Sequence, residues 1–144
     1  MKRNEEVKKG RASRRNDRGV ALLEFGLVVV VFFMFVFGVM DFGRALYTYH
    51  FVSNAACEAT RYAIVRGSAS TSPATAADVT DYVKAITPLG VDPKDLTVST
   101  TWSPNDAPGS TVRVQVSDNL KFMTPIFLQY RMTLSGASQM VISQ

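Results

Sequence analysis

Residues 18–31 read RGVALLEFGLVVVV, and this stretch decides the architecture. An arginine and a glycine give way to an apolar run broken by a single carboxylate, Glu24. From Val20 to Met40 every residue except Glu24 is apolar or glycine. As a helix, such a run rises about 30 Å, the thickness of one hydrocarbon core. A secretory signal would have a shorter apolar stretch followed by a small-x-small cleavage site. Here the run passes into GVMDFGRALY (38–47), which offers no such site, and no cysteine follows closely enough to carry a lipid. The segment is expected to stay on the protein as a transmembrane helix over residues 20–40.

Charge sets the expected orientation. Residues 1–19, MKRNEEVKKGRASRRNDRG, hold 8 Lys/Arg and 3 Asp/Glu. That local net of +5 within a chain total of +4 leaves −1 for everything from Val20 onward. The basic balance therefore belongs to a leader, not to a domain. It adjoins an apolar run and has no interleaved aromatics, so it reads as a cytoplasmic flank rather than a nucleic-acid surface. Residues 1–19 are expected inside the cytoplasm and residues 41–144 outside it.

The apolar stripe continues beyond the span. Phe42, Ala45, Tyr49, Val52, Ala56, Ala59 and Ala63 recur at steps of three and four, the spacing of one helix face. Leu46, Ser53, Thr60 and Ile64 widen it, and its small residues imply close packing against another element. Gly67 is a candidate stop signal. The expectation is one helix of about 45 residues, with 41–66 as its amphipathic second half. A span followed by a separate short helix is the alternative.

Residues 67–144 read as a small extracytoplasmic α+β module. TAADVTDYVKAI (75–86) opens with a capping pattern at Thr75 and Asp78, turns Val79, Tyr82, Val83 and Ile86 inward, and stops before Pro88. LTVSTTW (96–102) and STVRVQVS (110–117) alternate like strands, with the turn-forming SPNDAPG (103–109) between them. NLKFMTPIFLQYR (119–131) reads as a loop or a short helix broken by Pro125, and MTLSGASQMVIS (132–143) as a last strand. The expected fold class is α+β: the long N-terminal helix packed against about three antiparallel strands, with one extra helix.

The sequence offers little catalytic chemistry. It has one histidine, one cysteine, and no HExxH, Walker, GxGxxG or GxSxG pattern. No metal or cofactor is expected, and an enzyme is not. His50 reads as a packing or interfacial residue. Asp92 and Asp95 lack the alternating oxygens of a calcium loop. Trp102 is either an exposed binding aromatic or, more in keeping with a small domain, a core residue. Cys57 reads as a small buried packing residue, with an intermolecular disulfide as the other possibility.

Glu24 has two readings. It lies one turn into the span and could snorkel to the headgroups. Alternatively, a cut between Gly19 and Val20 would create an α-amino group four residues before it. That spacing places amine and carboxylate on one helix face, to pair within a subunit or with an adjacent copy.

Three further pieces, LLEFGLV (22–28), GVMDFGRALY (38–47) and NAACEATRYA (54–63), are similar to the TadE-like family, membrane-bound pseudopilins of the tight-adherence (Flp) pilus system. The resemblance covers residues 19–63; beyond that only the general pattern agrees, ending in MTLSGASQM (132–140). It implies a pilin-like fold and a processing site at Gly19 and Val20 for a prepilin peptidase, with Glu24 as the carboxylate at the fifth position of the mature chain. It also implies other pilins or pseudopilins and an inner-membrane assembly platform as partners, beside the lipid bilayer. Two departures stand out. The family often has a proline where Val28 to Val31 stand, and its GAR motif is Ala59-Thr60-Arg61 here, so Arg61 carries over without the glycine. A different class of function, a permanently anchored envelope scaffold or binding domain, is the alternative to a processed pilin.

Overall fold

The computed structural model describes residues 2–124 and 129–143, with side chains from Gly19 onward. Helix α1 spans Lys2–Ile64, α2 spans Ala76–Ala85, and three strands follow: β1 (Leu96–Ser103), β2 (Thr111–Lys121) and β3 (Arg131–Val141). This is the expected α+β arrangement. The chain divides into two compact units, Met1–Met40 and Asp41–Gln144. The part of α1 from Gly19 to Ile64 has 46 residues, as the apolar periodicity implied. The helix also continues back to Lys2, through a stretch of lysine, arginine and glutamate that favours helix and contains no proline.

In the first unit, residues 20–40 bury almost nothing. Leu23, Phe25, Leu27 and Phe35 are among the many exposed large apolar side chains of this run. A helix this apolar on all sides is long enough to cross a membrane and needs lipid or other helices around it.

The second unit is built on a meander of order β1-β2-β3, antiparallel throughout. The registers place Val98, Val116 and Gly136 in one row across the sheet, with Thr100, Val114 and Ser138 in the next. Residues opposite one another share a face, so these rows form the inner surface. Val112, Val114 and Val116 are fully buried there. Against them lie Val52, Ala55, Ala56, Ala59 and Ala63 of α1, together with Val79 and Val83 of α2.

One contact explains the small residues. A Cβ added to Gly136 would lie 2.6 Å from the Cα of Ser53 and 2.7 Å from the carbonyl oxygen of Val52. The sheet backbone thus rests on the helix backbone. Nearby, the Thr60 hydroxyl donates to the carbonyls of Ala56 (2.7 Å) and Ser138 (3.4 Å), so a polar group is buried with partners.

Several boundaries differ from the sequence reading. The helix ends at Ile64, not at Gly67: Ser143, just past β3, donates both its amide and its hydroxyl to the Ile64 carbonyl, each at 3.1 Å. A tertiary partner, not a glycine, takes that free carbonyl. Residues 119–121, assigned to a loop or short helix, extend β2 because they pair with 131–133 of β3. The remainder of that reading, around Pro125, lies outside the described residues over 125–128. Helix α2 starts as expected, with the reciprocal Thr75–Asp78 capping box. Its Tyr82 stacks on Tyr62 of α1, centroids 4.5 Å apart. Ile86 is its C-cap residue and is not buried.

Candidate functional site

In the first unit, Gly19, Val20 and Glu24 are exposed on helix α1. Val20 and Glu24 are one turn apart, so an amine at position 20 would lie within reach of that carboxylate. Among the described residues, Glu24 is a charge on an apolar helix with no ion-pair partner.

In the second unit, the seven residues of the expected packing face separate. Val52, Ala56, Ala59 and Ala63 are buried in the core, and Ala45 packs against it half-buried. Phe42 and Tyr49 do not: Phe42 is 70% exposed and Tyr49 is also exposed. The face is turned by one residue at its start, because Asp41 and Thr48 take the inward positions instead. Periodicity alone favours the aromatic at 42 over the acid at 41; the partners of that acid reverse the order.

Those partners form a buried polar cluster of the module. The Asp41 carboxylate accepts from the amides of Met123 (2.8 Å) and Thr124 (2.9 Å), and in a short bond from the Thr124 hydroxyl. Arg44, one turn along, lies 3.6 Å from the carboxylate and donates to the Lys121 carbonyl at 3.2 Å. Burial would raise the Asp41 pKa. The hydrogen bonds from Thr124 and Met123, with the Arg44 charge, outweigh it and hold the carboxyl below the ordinary aspartate range. Asp41 and Arg44 therefore clamp the end of β2 to the helix residue that directly follows the apolar run. Both lie in the GVMDFGRALY stretch, but nothing in their spacing named the amides of 123 and 124 as partners.

Asp118 behaves differently. It occupies the inner face of β2, between Leu96 and Leu134 in the register, and is buried. Burial pushes its carboxyl up, and Asp95 and Asp92 add to the shift; Lys121 and Arg44 pull the other way without reversing it. Lys121 is itself paired with Asp95 at 2.8 Å.

The other singled-out residues are plainly placed. Cys57 is exposed, which overturns the buried-packing reading: the core side of this turn is taken by Ala55, Ala56 and Ala59. Trp102 is half-buried and packs against the core, and it also lines a shallow groove of about 620 Å³ with Thr75, Asn105 and Asp106. His50 is exposed beside Tyr49. Arg61, the residue carried over from the GAR motif, is exposed and sits 3.9 Å from Glu58.

Residues 19–61 match the TadE-like protein family. The matched segment contains Gly19, Val20, Glu24, Asp41, Arg44 and Arg61, and stops before α2 and the sheet. A TadE-like match suggests involvement in the tight-adherence (Tad) pilus system, and among the described residues one apolar helix of membrane-spanning length fits a membrane-anchored protein. Searches of the curated proteins and of the solved structures each found no match.

Proposed function

We propose that the protein is a minor pilin or pseudopilin of the tight-adherence type IV pilus system. A prepilin peptidase cuts it between Gly19 and Val20, and the processed chain supports pilus assembly and surface adhesion. One observation carries the reading: a basic stretch ends at Gly19, where the matched segment begins, and an apolar run follows over residues 20–40 with its only charge at Glu24. Cleavage removes five net positive charges and creates an amine one turn from that carboxylate. In a filament, apolar helices replace lipid around residues 20–40, and Glu24 pairs with the new amine of its own or a neighbouring subunit. The basic flank sets the N-terminus in the cytoplasm and the 41–144 module outside the inner membrane. The partners are the peptidase, other pilins or pseudopilins, and the inner-membrane assembly platform. The chain is a substrate and a building block, not an enzyme.

The test is the intact mass of the membrane-extracted protein from cells with and without the cognate peptidase. A mature chain starting at Val20 only in peptidase-positive cells supports the proposal. An intact leader in both means a permanently anchored scaffold. Glu24→Gln then separates the roles of the carboxylate. Loss of a charge-assisted bond in a dry site lowers subunit association by about one to two decades, while insertion and cleavage persist. Wild-type co-purification of a fully processed Glu24→Gln protein with pilus components would mean that the carboxylate merely snorkels.

A further inference from the structure

The edge of the module that Asp41 holds carries an unusual set of side chains. Met123 is 57% exposed, Tyr130 56% and Met132 45%. The strand register puts Lys121 directly opposite Arg131, two like charges that disfavour the pairing by themselves. Lys121 is relieved by Asp95, and Arg44 by Asp41. Arg131 is exposed and has no carboxylate within ion-pair distance among the described residues. The edge thus combines flexible thioethers, an amphipathic tyrosine and a cation without a counter-ion among the described residues.

Its place in the chain gives that combination a meaning. Asp41 directly follows Met40, the last residue of the apolar run, so its carboxylate is one Cα step (about 3.8 Å) along the chain from the end of the span. The Met123 and Thr124 amides are bonded to that carboxylate, so they lie close to the residue that follows the apolar run; if residues 20–40 span a bilayer, that residue stands at the headgroup level. Tyrosine and arginine are favoured at that depth: the ring sits at headgroup level, and the guanidinium reaches phosphate while its stem lies along apolar chains.

We infer that Met123, Tyr130 and Met132, with Arg131, form a second membrane contact, resting on the phosphate and glycerol layer of the leaflet into which residue 40 emerges. Residues 125–128 are not part of the proposed surface. The occupant is lipid rather than protein, because the surface adjoins Asp41, the residue that follows the apolar run, and the charge of Arg131, which has no ion-pair partner among the described residues, is opposite to that of a phosphate. This rests on residues 20–40 spanning a bilayer and is independent of whether Gly19–Val20 is cut.

The test uses the full chain with Cys57→Ser, reconstituted in vesicles of phosphatidylethanolamine and phosphatidylglycerol. A single cysteine labelled with an environment-sensitive fluorophore is placed at Met123, at Phe33 within the span, or at Leu89, which is 98% exposed on the loop between α2 and β1 of the same module as Met123. Lipids carrying a spin-label quencher near the headgroup, or deep in the acyl chain, are then added. The Met123→Cys label should be quenched by the shallow label, the Phe33→Cys label by the deep one, and the Leu89→Cys label by neither. Arg131→Gln should reduce the shallow quenching at 123 and make it insensitive to phosphatidylglycerol content. Quenching at 33 without quenching at 123 overturns the lipid contact. So does emission from 123 that follows protein concentration instead of lipid, which assigns the surface to a second copy. Absence of quenching at 33 overturns the span itself.

Discussion

Two stretches of one helix obey opposite rules. Between residues 20 and 40 α1 carries valines, leucines and phenylalanines that the protein leaves exposed; between 52 and 63 it carries Val52, Ala55, Ala56, Ala59, Thr60 and Ala63, all buried. The first stretch meets no fixed neighbour within the chain, so bulk is tolerated on every side. The second meets the sheet so closely that a methyl added to Gly136 would lie 2.6 Å from the helix Cα of Ser53, and any excess volume must be accommodated by something rigid. Glycine marks the same difference: Gly26 and Gly38 have open space around them, and Gly136 has none.

The largest expected effect tests that contrast at its sharpest point. Gly136→Ala should destabilise the module by about 3 kcal/mol, and Gly136→Val should abolish its cooperative melting in detergent. Gly38→Ala should move the same transition by no more than about 0.5 kcal/mol. Equal melting of all three proteins would show that sheet and helix are not in backbone contact. If Gly38→Ala spares melting but weakens pilus association, the glycine serves a partner helix instead.

Removing the clamp should come next. Asp41→Ala leaves two amides and a hydroxyl without their acceptor and should cost about 2–3 kcal/mol. Because the folded Asp41 pKa is lowered, its contribution is fully present above about pH 4 and is lost as pH falls through the folded value. Chemical denaturation across pH 2–7 should therefore show the wild-type advantage over Asp41→Asn shrinking only at the acid end. An advantage that stays constant to the lowest pH would mean the hydrogen-bond geometry, not the charge, holds the edge.

Asp118 should show the reverse sign with a smaller amplitude. Its folded pKa is raised, so the ionised form is disfavoured: stability is greatest below the ordinary carboxylate range and falls as pH rises through the folded value. Asp118→Asn should raise the melting temperature at neutral pH, and the gain should vanish on acidification. A loss of stability at neutral pH would instead give the carboxylate a partner role toward Arg44. The smallest effect belongs to the exposed thiol: Cys57→Ser should change folding by less than about 0.5 kcal/mol. Any larger change in whole-cell assembly than in melting would place that helix face against another subunit.

Much of this was legible in the chain. The long apolar helix, its single carboxylate, the basic flank, the capped α2 and the three alternating strands follow from composition, periodicity and local capping chemistry, all of which act within a few residues. The inner face of α1 was legible where it consists of alanines and failed at Phe42 and Tyr49, since hydrophobicity cannot tell a side chain facing the core from one facing another medium. Cys57 failed likewise: its size suits a core, but three alanines on the same turns hold the inward positions.

What tertiary structure decided concerns partners far apart in sequence. The acid at Asp41 became an inward residue because the amides of 123 and 124 need an acceptor, and the helix stops at Ile64 because Ser143 takes its carbonyl. Gly136 became the point of closest approach because the strand register sets it over Ser53. By itself the sequence determined which segments form helix and strand and which of them suits a membrane, because those preferences are local. Which groups satisfy one another across some eighty residues depends on register and packing, which exist only once the chain has closed on itself.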